Sequence, residues 1–270
     1  MVGKPLYATY PTGYTCTMTP SDEDIWHFQH SGYYVVPQTL PEELIACLNT
    51  ATDRELVTLR EPIVWEKGDG RKPNDVRRLS KILQRDPVFM EAATQPFLLD
   101  ALEIALGPNI DLLTNKHNHL MVRPPQSGVV PWHSGEEAYE PTLVTALIYL
   151  EESTMENGCV RIVPGSHHRP FRQQQRYPGG AFHTHILYYR ALPVPMPRGG
   201  ILLFNDSCFH GADVNQSPHS RRSMTLGYRA HDAHDVAKDD PEKVLVRGEH
   251  SYTGHPHPFP NLPDGPLTDT

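Results

Sequence analysis

The 270-residue sequence lacks three features that would assign it to a class of protein at once. No apolar run approaches the roughly 18 residues of a transmembrane helix, so no membrane association is expected. The four cysteines form no Cys-x-x-Cys pair and show no disulfide-like spacing, which favours reduced, mostly buried thiols. Basic residues are outnumbered, with 24 Lys and Arg against 32 Asp and Glu and a net charge of −8. A nucleic-acid polymer is therefore not an expected partner.

The length is sufficient for one large domain, which we divide into three parts. We predict an N-terminal helical layer over 1–109, a β core over 110–230 with an insertion at 166–198, and a Pro- and His-rich tail over 231–270. The first residues, "MVGKPLYATYPTGY", have neither the basic nor the apolar region of a signal peptide. The expected location is the cytoplasm.

Helix signals dominate the first part of the chain. Residues 21–32 open on the capping-box pattern Ser-x-x-Asp and close on a glycine, which predicts a short helix. Apolar residues at helical spacing predict a second helix over 40–59 and two more over 86–109, separated at a proline. The glycine-rich, charged stretch 66–78 is expected to form an exposed loop.

From residue 110 the pattern changes to short apolar or alternating runs, separated by Pro-, Gly- and Ser-rich turns. Such runs are typical of an antiparallel sandwich or barrel. We therefore predict a mainly β fold with supporting helices. The runs assigned to strands are "IDLLTNKHNHLMV", "LVTALIYL", "CVRIV", "GILLFN" and "SMTLGYRA".

Three separated segments carry candidate chemistry. The first is His133, shortly after "MVRPPQSG", and the second is "ENGCVRIVPGSHH" at 156–168. The third, "HGADVNQSPHSRRSMTLGYRA", begins at His210. Over roughly residues 20–230, the order and spacing of these segments resemble those of the phytanoyl-CoA dioxygenase-like iron(II)/2-oxoglutarate oxygenases.

The resemblance implies a double-stranded β-helix, the jelly-roll core of cupin-like folds, that uses Fe(II), 2-oxoglutarate and O2. His133 and His210 match the iron-binding histidines of the family. Arg221 matches the arginine that holds the far carboxylate of 2-oxoglutarate, a task that suits the planar guanidinium. Ser223, two residues later on the same strand face, matches the hydroxyl that assists it.

Two more residues match positions near the cosubstrate. The resemblance places His119 on a strand that lines the cosubstrate pocket. It places Lys81, in "LSKILQRDP", where a lysine approaches the cosubstrate or an anionic substrate, although a solvated surface lysine is the alternative. Arg222 is expected to point away from the site, because side chains alternate along a strand.

The sequence departs from the family pattern at Gly135. A His-x-Asp motif would place a carboxylate two residues after His133, whereas "HSG" offers no ligand there. The missing carboxylate opens one more position on the iron, which chloride would fill while restoring the lost negative charge. His-x-Gly resembles the iron/2-oxoglutarate halogenases. Their reaction consumes O2 and 2-oxoglutarate, releases succinate and carbon dioxide, and replaces a hydrogen on an unactivated carbon with chlorine.

Three alternatives to a halogenase stay open. Glu136 or Glu137 could bend back to the metal and restore a hydroxylase. The site could bind nothing and leave a scaffold or binding module, a reading that the retained His210 and Arg221 disfavour. Finally, Gly135 could be an engineered replacement of an aspartate.

The insertion mixes basic and aromatic residues, which suits a lid over an anionic substrate with a flat ring; a solvated loop is the alternative. Some halogenases of this class act on free nucleotides, so we expect a small-molecule substrate, a (deoxy)adenine nucleotide monophosphate in natural-product biosynthesis. Amino acids, indole alkaloids and carrier-tethered groups are alternatives, and the acidic chain disfavours an acidic carrier protein. The candidate substrate residues are Arg176, Tyr177, His183 and Arg190.

Overall fold

The computed structural model describes residues 20–65, 76–135, 143–168, 189–231 and 243–249. Within these ranges the helices are α1 (Asp22–Ser31), α2 (Glu42–Thr58), α3 (Pro87–Ala93) and α4 (Pro96–Leu106). The strands are β1 (Tyr33–Val35), β2 (Ile63–Trp65), β3 (Val76–Ser80), β4 (Ile110–Leu113), β5 (His119–Arg123), β6 (Val130–His133), β7 (Leu143–Tyr149), β8 (Val160–Ile162), β9 (Leu192–Val194), β10 (Ile201–Asn205), β11 (His210–Ala212), β12 (Arg221–Ala230) and β13 (Lys243–Arg247).

The strands form two antiparallel sheets. The larger sheet has the order β1-β10-β7-β12-β5-β3-β2, with β4 also paired to β12 and β13 paired to β4. The smaller sheet has the order β6-β11-β8-β9. The mainly β, jelly-roll architecture predicted from the sequence is confirmed.

Strand alternation gives the larger sheet two different faces. On β12, Met224 and Leu226 belong to the same buried cluster as Leu48 of α2 and Leu102 of α4. The helices therefore cover the outer face of this sheet, which removes a large apolar surface from water. The intervening residues of β12, beginning with Arg221, face the smaller sheet instead.

A second apolar cluster fills the space between the two sheets. It joins Tyr149 of β7 and Phe204 of β10 to Ile162 of β8 and Val194 of β9. Because these residues come from both sheets, their packing fixes the distance and orientation between the sheets. The strands that carry the candidate site residues are thereby held in place.

The predicted helices are confirmed together with the signals that bound them. Ser21 and Asp24 form the capping box of α1, and Gly32 ends that helix with φ of 78°, a conformation that glycine adopts without strain. Pro96 occupies the first turn of α4, where its missing N–H costs nothing, and Gly107 caps the other end.

Three sequence-based boundaries are wrong. Residues 76–78, predicted as loop, belong to β3, which pairs with β2 and β5. Residues 192–194 of the predicted insertion form β9 against β8, and residues 243–247 of the predicted tail form β13 against β4. Within the N-terminal layer, "YYVV" at 33–36 predicts a strand, which β1 confirms, and β2 and β3 are two further strands that join the larger sheet. These short strands carry little apolar periodicity, and pairing with distant segments defines them.

Two further expectations concern membranes and thiols. None of the helices in the described ranges is long and apolar enough to cross a membrane. Of the cysteines in those ranges, Cys159 and Cys208 are buried free thiols as expected, whereas Cys47 is free and exposed.

A buried ion pair ties β3 and the following turn to α2. The Arg85 guanidinium donates to Glu55 Oε2 at 2.7 Å and to the carbonyl oxygens of Ser80, Arg60 and Pro62 at 2.7 to 2.8 Å. Both side chains of the ion pair are about 95% or more buried. Each guanidinium nitrogen of Arg85 therefore has an acceptor, which is the condition under which a buried charge is tolerated.

Replacing Arg85 with methionine should lower the free energy of unfolding by about 3 kcal/mol, because the buried Glu55 carboxylate keeps only Arg60 as an ionic partner and three carbonyl groups each lose a donor. Urea denaturation measures the change. Arg198→Met is the matched control, since the Arg198–Glu42 pair is exposed and its loss should cost less than about 1 kcal/mol. Equal effects of the two substitutions would contradict this assignment.

Candidate active site

His133 and His210 lie side by side in the smaller sheet. His133 is the last residue of β6, His210 is the first of β11, and the two are register partners in the antiparallel pairing. Their ring centroids are 4.1 Å apart. Two residues that are 77 positions apart in the sequence are thus brought together by the sheet register alone.

Both imidazoles are oriented with one nitrogen bound to the backbone. His133 Nδ1 donates to the carbonyl oxygen of Pro131 at 2.8 Å, and His210 Nδ1 donates to that of Cys208 at 2.9 Å. Because only a protonated ring nitrogen can bond to a carbonyl oxygen, Nε2 of each ring keeps its lone pair. This arrangement is the one that a histidine uses to bind a transition metal.

The charge state of His210 agrees with this role. Burial, followed by the neighbouring His133, lowers the pKa of His210 to about 3. The ring is therefore neutral at physiological pH, as a metal ligand requires.

Gly135 lies two residues beyond His133 and contacts Asp206, the residue after β10. The Gly135 N–H donates to the Asp206 carbonyl oxygen at 2.8 Å. The Asp206 carboxylate also binds His117 Nε2 at 3.1 Å and Thr145 Oγ1 at 3.2 Å. Burial raises the pKa of Asp206, but the hydrogen bond and the charge of His117 outweigh this effect and hold that pKa below its usual value.

A cavity of about 470 Å³ opens beside His133 and Gly135. Its charged lining side chains are mostly basic, namely Arg78, Lys81 and Lys116, and Asp206 is the acidic residue among the described lining residues. Besides His133, the imidazoles of His117 and His119 also line it. A cavity of this size and charge suits an anionic ligand larger than a simple ion.

His119 contributes to this lining as a neutral group. It is the register partner of Thr225 on β12 and of Ser80 on β3, on the inner face of the larger sheet. Burial, followed by the charges of Arg78 and His117, lowers the pKa of His119 to about 3.

Arg221 is buried on the inner face of β12, with only 3% of its surface exposed. Its guanidinium donates to Ser153 Oγ at 3.2 Å and to the Gly158 carbonyl oxygen at 3.1 Å, and it lies over the Tyr149 ring, 5.7 Å from the centroid. Among the described residues, Arg221 Nε and the Tyr149 hydroxyl have no hydrogen-bond partner although both are buried. Buried donors without partners indicate a missing acceptor.

The Tyr149 hydroxyl is available as a donor, because burial raises its pKa to about 12. Ser223 is buried on the same face and is the register partner of Tyr149. Arg222 points the opposite way, as expected, and pairs with Asp53 at 2.7 Å. The donor set of Arg221, Tyr149 and Ser223 fits a carboxylate-bearing cosubstrate.

The remaining predicted site residues differ in where the structure places them. Lys81 and His119 line the cavity with His133 and Gly135. Arg190 is exposed and is not among the described residues that line the cavity. Residues outside the described ranges are Glu136, Glu137, Arg176, Tyr177 and His183.

Sequence reasoning missed Arg78, His117, Tyr149 and Asp206. Arg78 lies in a stretch predicted as loop, and only the pairing of β3 shows that it faces inward. Asp206 stands four residues before His210 in "NDSCFH", a proximity that could have marked it as a candidate. His117 has φ of 46°, a turn conformation that no sequence motif predicted.

Comparison with known proteins agrees with this geometry. The profile of the phytanoyl-CoA dioxygenase (PhyH) family matches residues 28–223. The chain is 29% identical over 225 residues to a probable alpha-ketoglutarate-dependent hypophosphite dioxygenase of Stutzerimonas stutzeri, covering 77% of this chain and 75% of that protein. It is 26% identical over 221 residues to a methylphosphonate hydroxylase of Gimesia maris, covering 79% and 82%.

A solved structure shares the fold. The non-heme alpha ketoglutarate dependent carbocyclase SnoK from nogalamycin biosynthesis superposes with a TM-score of 0.66 at 21% sequence identity, covering 82% of this chain and 88% of that one. The family match extends over most of the chain and includes both histidines and Arg221. The protein therefore belongs to the phytanoyl-CoA dioxygenase family of iron- and 2-oxoglutarate-dependent oxygenases.

Proposed function

We propose that this oxygenase is a halogenase that acts on a small anionic molecule. The observation that carries the proposal is the absence of a side chain at Gly135, two residues after His133 and beside the His133–His210 pair. Among the described residues, no third His, Cys, Asp or Glu joins these histidines in a group spaced to hold a metal. A chloride ion would supply the anion that an aspartate supplies in a His-x-Asp site.

The roles of the chain's own residues follow from their positions. His133 and His210 would hold Fe(II) through Nε2, and the bound iron, with 2-oxoglutarate and O2, supplies an oxidant able to break an unactivated C–H bond. Arg221 and Tyr149 would bind and orient the far carboxylate of 2-oxoglutarate through donors that are otherwise unused. The buried apolar cluster around Tyr149 keeps water from these contacts and so strengthens them.

The lining of the cavity supports an anionic substrate. Arg78 and Lys81 present positive charge beside His133, which favours a phosphate or carboxylate. The two relatives described above are named for hypophosphite and methylphosphonate, both phosphorus anions. The volume of about 470 Å³ leaves room for a larger molecule, in keeping with a (deoxy)adenine nucleotide monophosphate.

A hydroxylase is the second candidate, and one observation favours it. The Asp206 carboxylate lies next to Gly135, so a protein carboxylate is present near the place where the family motif would put one. The sequence offers Glu136 and Glu137 as carboxylates for a hydroxylase, and the structure adds Asp206. If the Asp206 carboxylate reached the iron, the site would have no room for a halide.

Chloride should strengthen or shift the visible charge-transfer band of the anaerobic Fe(II)–2-oxoglutarate complex, because the halide would enter the metal shell. Gly135→Asp should abolish this response and suppress chlorination, since the added side chain brings bulk and a second negative charge beside the halide position. Gly128→Asp is the matched control, because Gly128 has open space around it and should leave the response intact. A wild-type band indifferent to chloride would favour the hydroxylase.

Arg221→Ala should weaken 2-oxoglutarate binding by about 2 kcal/mol, or about 30-fold in Kd, because a charge-assisted hydrogen-bonded contact is lost. Anaerobic titration of the Fe(II) protein with 2-oxoglutarate measures the effect. Arg222→Ala serves as the control, since Arg222 pairs with Asp53 on the opposite face. Unchanged affinity in Arg221→Ala would contradict the assignment of this arginine.

With Mn(II) in place of iron, deoxyadenosine monophosphate should bind at least about tenfold more tightly than deoxyadenosine, because charge-assisted contacts hold the phosphate. Lys81→Ala should remove most of this difference, and the exposed Arg198→Ala should not. Calorimetry provides both affinities. Equal affinities of the nucleotide and the nucleoside for the wild-type protein would contradict an anion-binding subsite in the cavity.

A further inference from the structure

Asp206 is fixed against Gly135 by the backbone on both sides. The Asp206 N–H donates to the Leu143 carbonyl oxygen at 3.0 Å, at the start of β7. Its own carbonyl oxygen accepts from the Gly135 N–H at 2.8 Å. The end of β10, the start of β7 and the segment after β6 therefore meet at Asp206, and its side chain has little freedom of position.

The carboxylate is anchored as well. His117 Nε2 and Thr145 Oγ1 both bind Asp206 Oδ1, at 3.1 and 3.2 Å. Thr145 is 1% exposed, so this contact is shielded from water. Moving the carboxylate away would leave the buried Thr145 hydroxyl without this partner, which is costly.

The second carboxylate oxygen, Oδ2, takes the space that a side chain at residue 135 would need. A Cβ built on Gly135 would overlap Asp206 Oδ2, with Asp206 Cγ at 2.6 Å and the Asp206 carbonyl oxygen at 3.3 Å. The backbone of Gly135 does not have the positive φ that favours glycine. Glycine is therefore required at this position for room and not for conformation.

The Asp206 carboxylate takes space that any side chain at residue 135 would need, because it overlaps the position of the missing Cβ. It does not, however, form a metal-spaced group with His133 and His210 among the described residues. Asp206 thus bounds the place left by the missing ligand without taking the ligand's role.

We propose that Asp206 is the specificity-determining residue of the halide position: it excludes a protein ligand from residue 135 and limits the affinity of the site for halide. The inference rests on the proposed halogenase function. A carboxylate next to a bound anion repels it and so weakens its binding. At a separation of several ångströms this repulsion is large enough that removing one charge should change the measured affinity for the anion. The His117 contact offsets part of this repulsion and keeps the site usable.

The halide arm of the test compares wild type, Asp206→Asn and Asp53→Asn as anaerobic Fe(II)–2-oxoglutarate complexes titrated with sodium chloride. Asp206→Asn keeps the shape of the side chain and removes its charge. The chloride concentration at half-saturation should therefore fall by at least about tenfold. Asp53 is exposed on α2, and the same chemical change there should leave the half-saturation unchanged.

The steric arm uses no halide and no turnover. Fe(II) affinity is measured by anaerobic equilibrium dialysis for wild type, Asp206→Asn, Gly135→Asp and the double variant Gly135→Asp/Asp206→Ala, each first checked for cooperative thermal unfolding. Gly135→Asp should bind Fe(II) no more tightly than wild type, because Asp206 blocks the new carboxylate. The double variant should bind it at least about tenfold more tightly, because the third ligand can now reach the metal. If Gly135→Asp does not fold, Gly135→Ala replaces it. Gly135→Ala should lower the thermal stability of the protein, and adding Asp206→Ala should relieve this loss.

The outcomes separate this inference from the function on which it rests. A wild-type chloride response that Asp206→Asn leaves unchanged overturns the role of Asp206 and leaves the halogenase standing. Loss of Fe(II) affinity in Asp206→Asn makes Asp206 a ligand and overturns the inference. Equal Fe(II) affinity of Gly135→Asp and the double variant overturns the steric block. If chloride affects neither protein, the halogenase and the halide role fail together.

Discussion

The antiparallel register between β6 and β11 is the constraint on which the site depends. It makes His133 and His210 direct partners, and a shift of one residue would turn one ring to the other face of the sheet. The cluster between the sheets supports this register, because Phe204 packs against the His210 ring with centroids 4.6 Å apart. The apolar packing between the sheets therefore also orients the His210 ring.

The same packing links the metal position to the cosubstrate position. Tyr149 and Phe204 belong to one cluster, and Arg221 lies over the Tyr149 ring. Rigid strands on opposite sheets thus carry the histidines and the arginine, which is how a site achieves fixed geometry without a bound ligand to organise it. Part of the cavity lining is built differently, from Lys81 and His117, which lie outside the strands and both have positive φ.

Much of the fold and half of the site could be predicted from the sequence. The capping box of α1, the apolar spacing of α2 and the alternating run of β12 are local signals, and the structure follows them. His133, His210 and Arg221 were marked by motifs whose order and spacing the family shares. Local sequence signals do not predict β3, β9 and β13, because these strands are defined by pairing with distant strands.

The same limit explains the site residues that the sequence did not reveal. Arg78 faces the cavity only because β3 joins the sheet, and Asp206 meets Gly135 only because β10 and β6 end at the same place. Gly135 was interpreted as an absent ligand, whereas the structure adds that a neighbouring carboxylate needs its space. The consequence of the missing side chain at residue 135 depends on the residues around it, and these come from three separate segments of the chain.

The combination of charges around Gly135 sets the chemistry that the site can support. Asp206 lines the same cavity as Arg78, Lys81 and Lys116, and His117 contacts it directly. Under the proposed function, this balance would hold a halide weakly beside a more firmly held substrate anion. An aspartate at 135 would instead add a second negative charge against Asp206, an arrangement that proteins stabilise only with additional partners.

The most direct test of this account is the anomalous diffraction of anaerobic crystals prepared with Fe(II), 2-oxoglutarate and sodium bromide. The account predicts a bromide peak bound to the iron on the side of Gly135, with the Asp206 carboxylate still in contact with His117. A carboxylate of Asp206, Glu136 or Glu137 bound to the iron in place of bromide would contradict it and identify the protein as a hydroxylase.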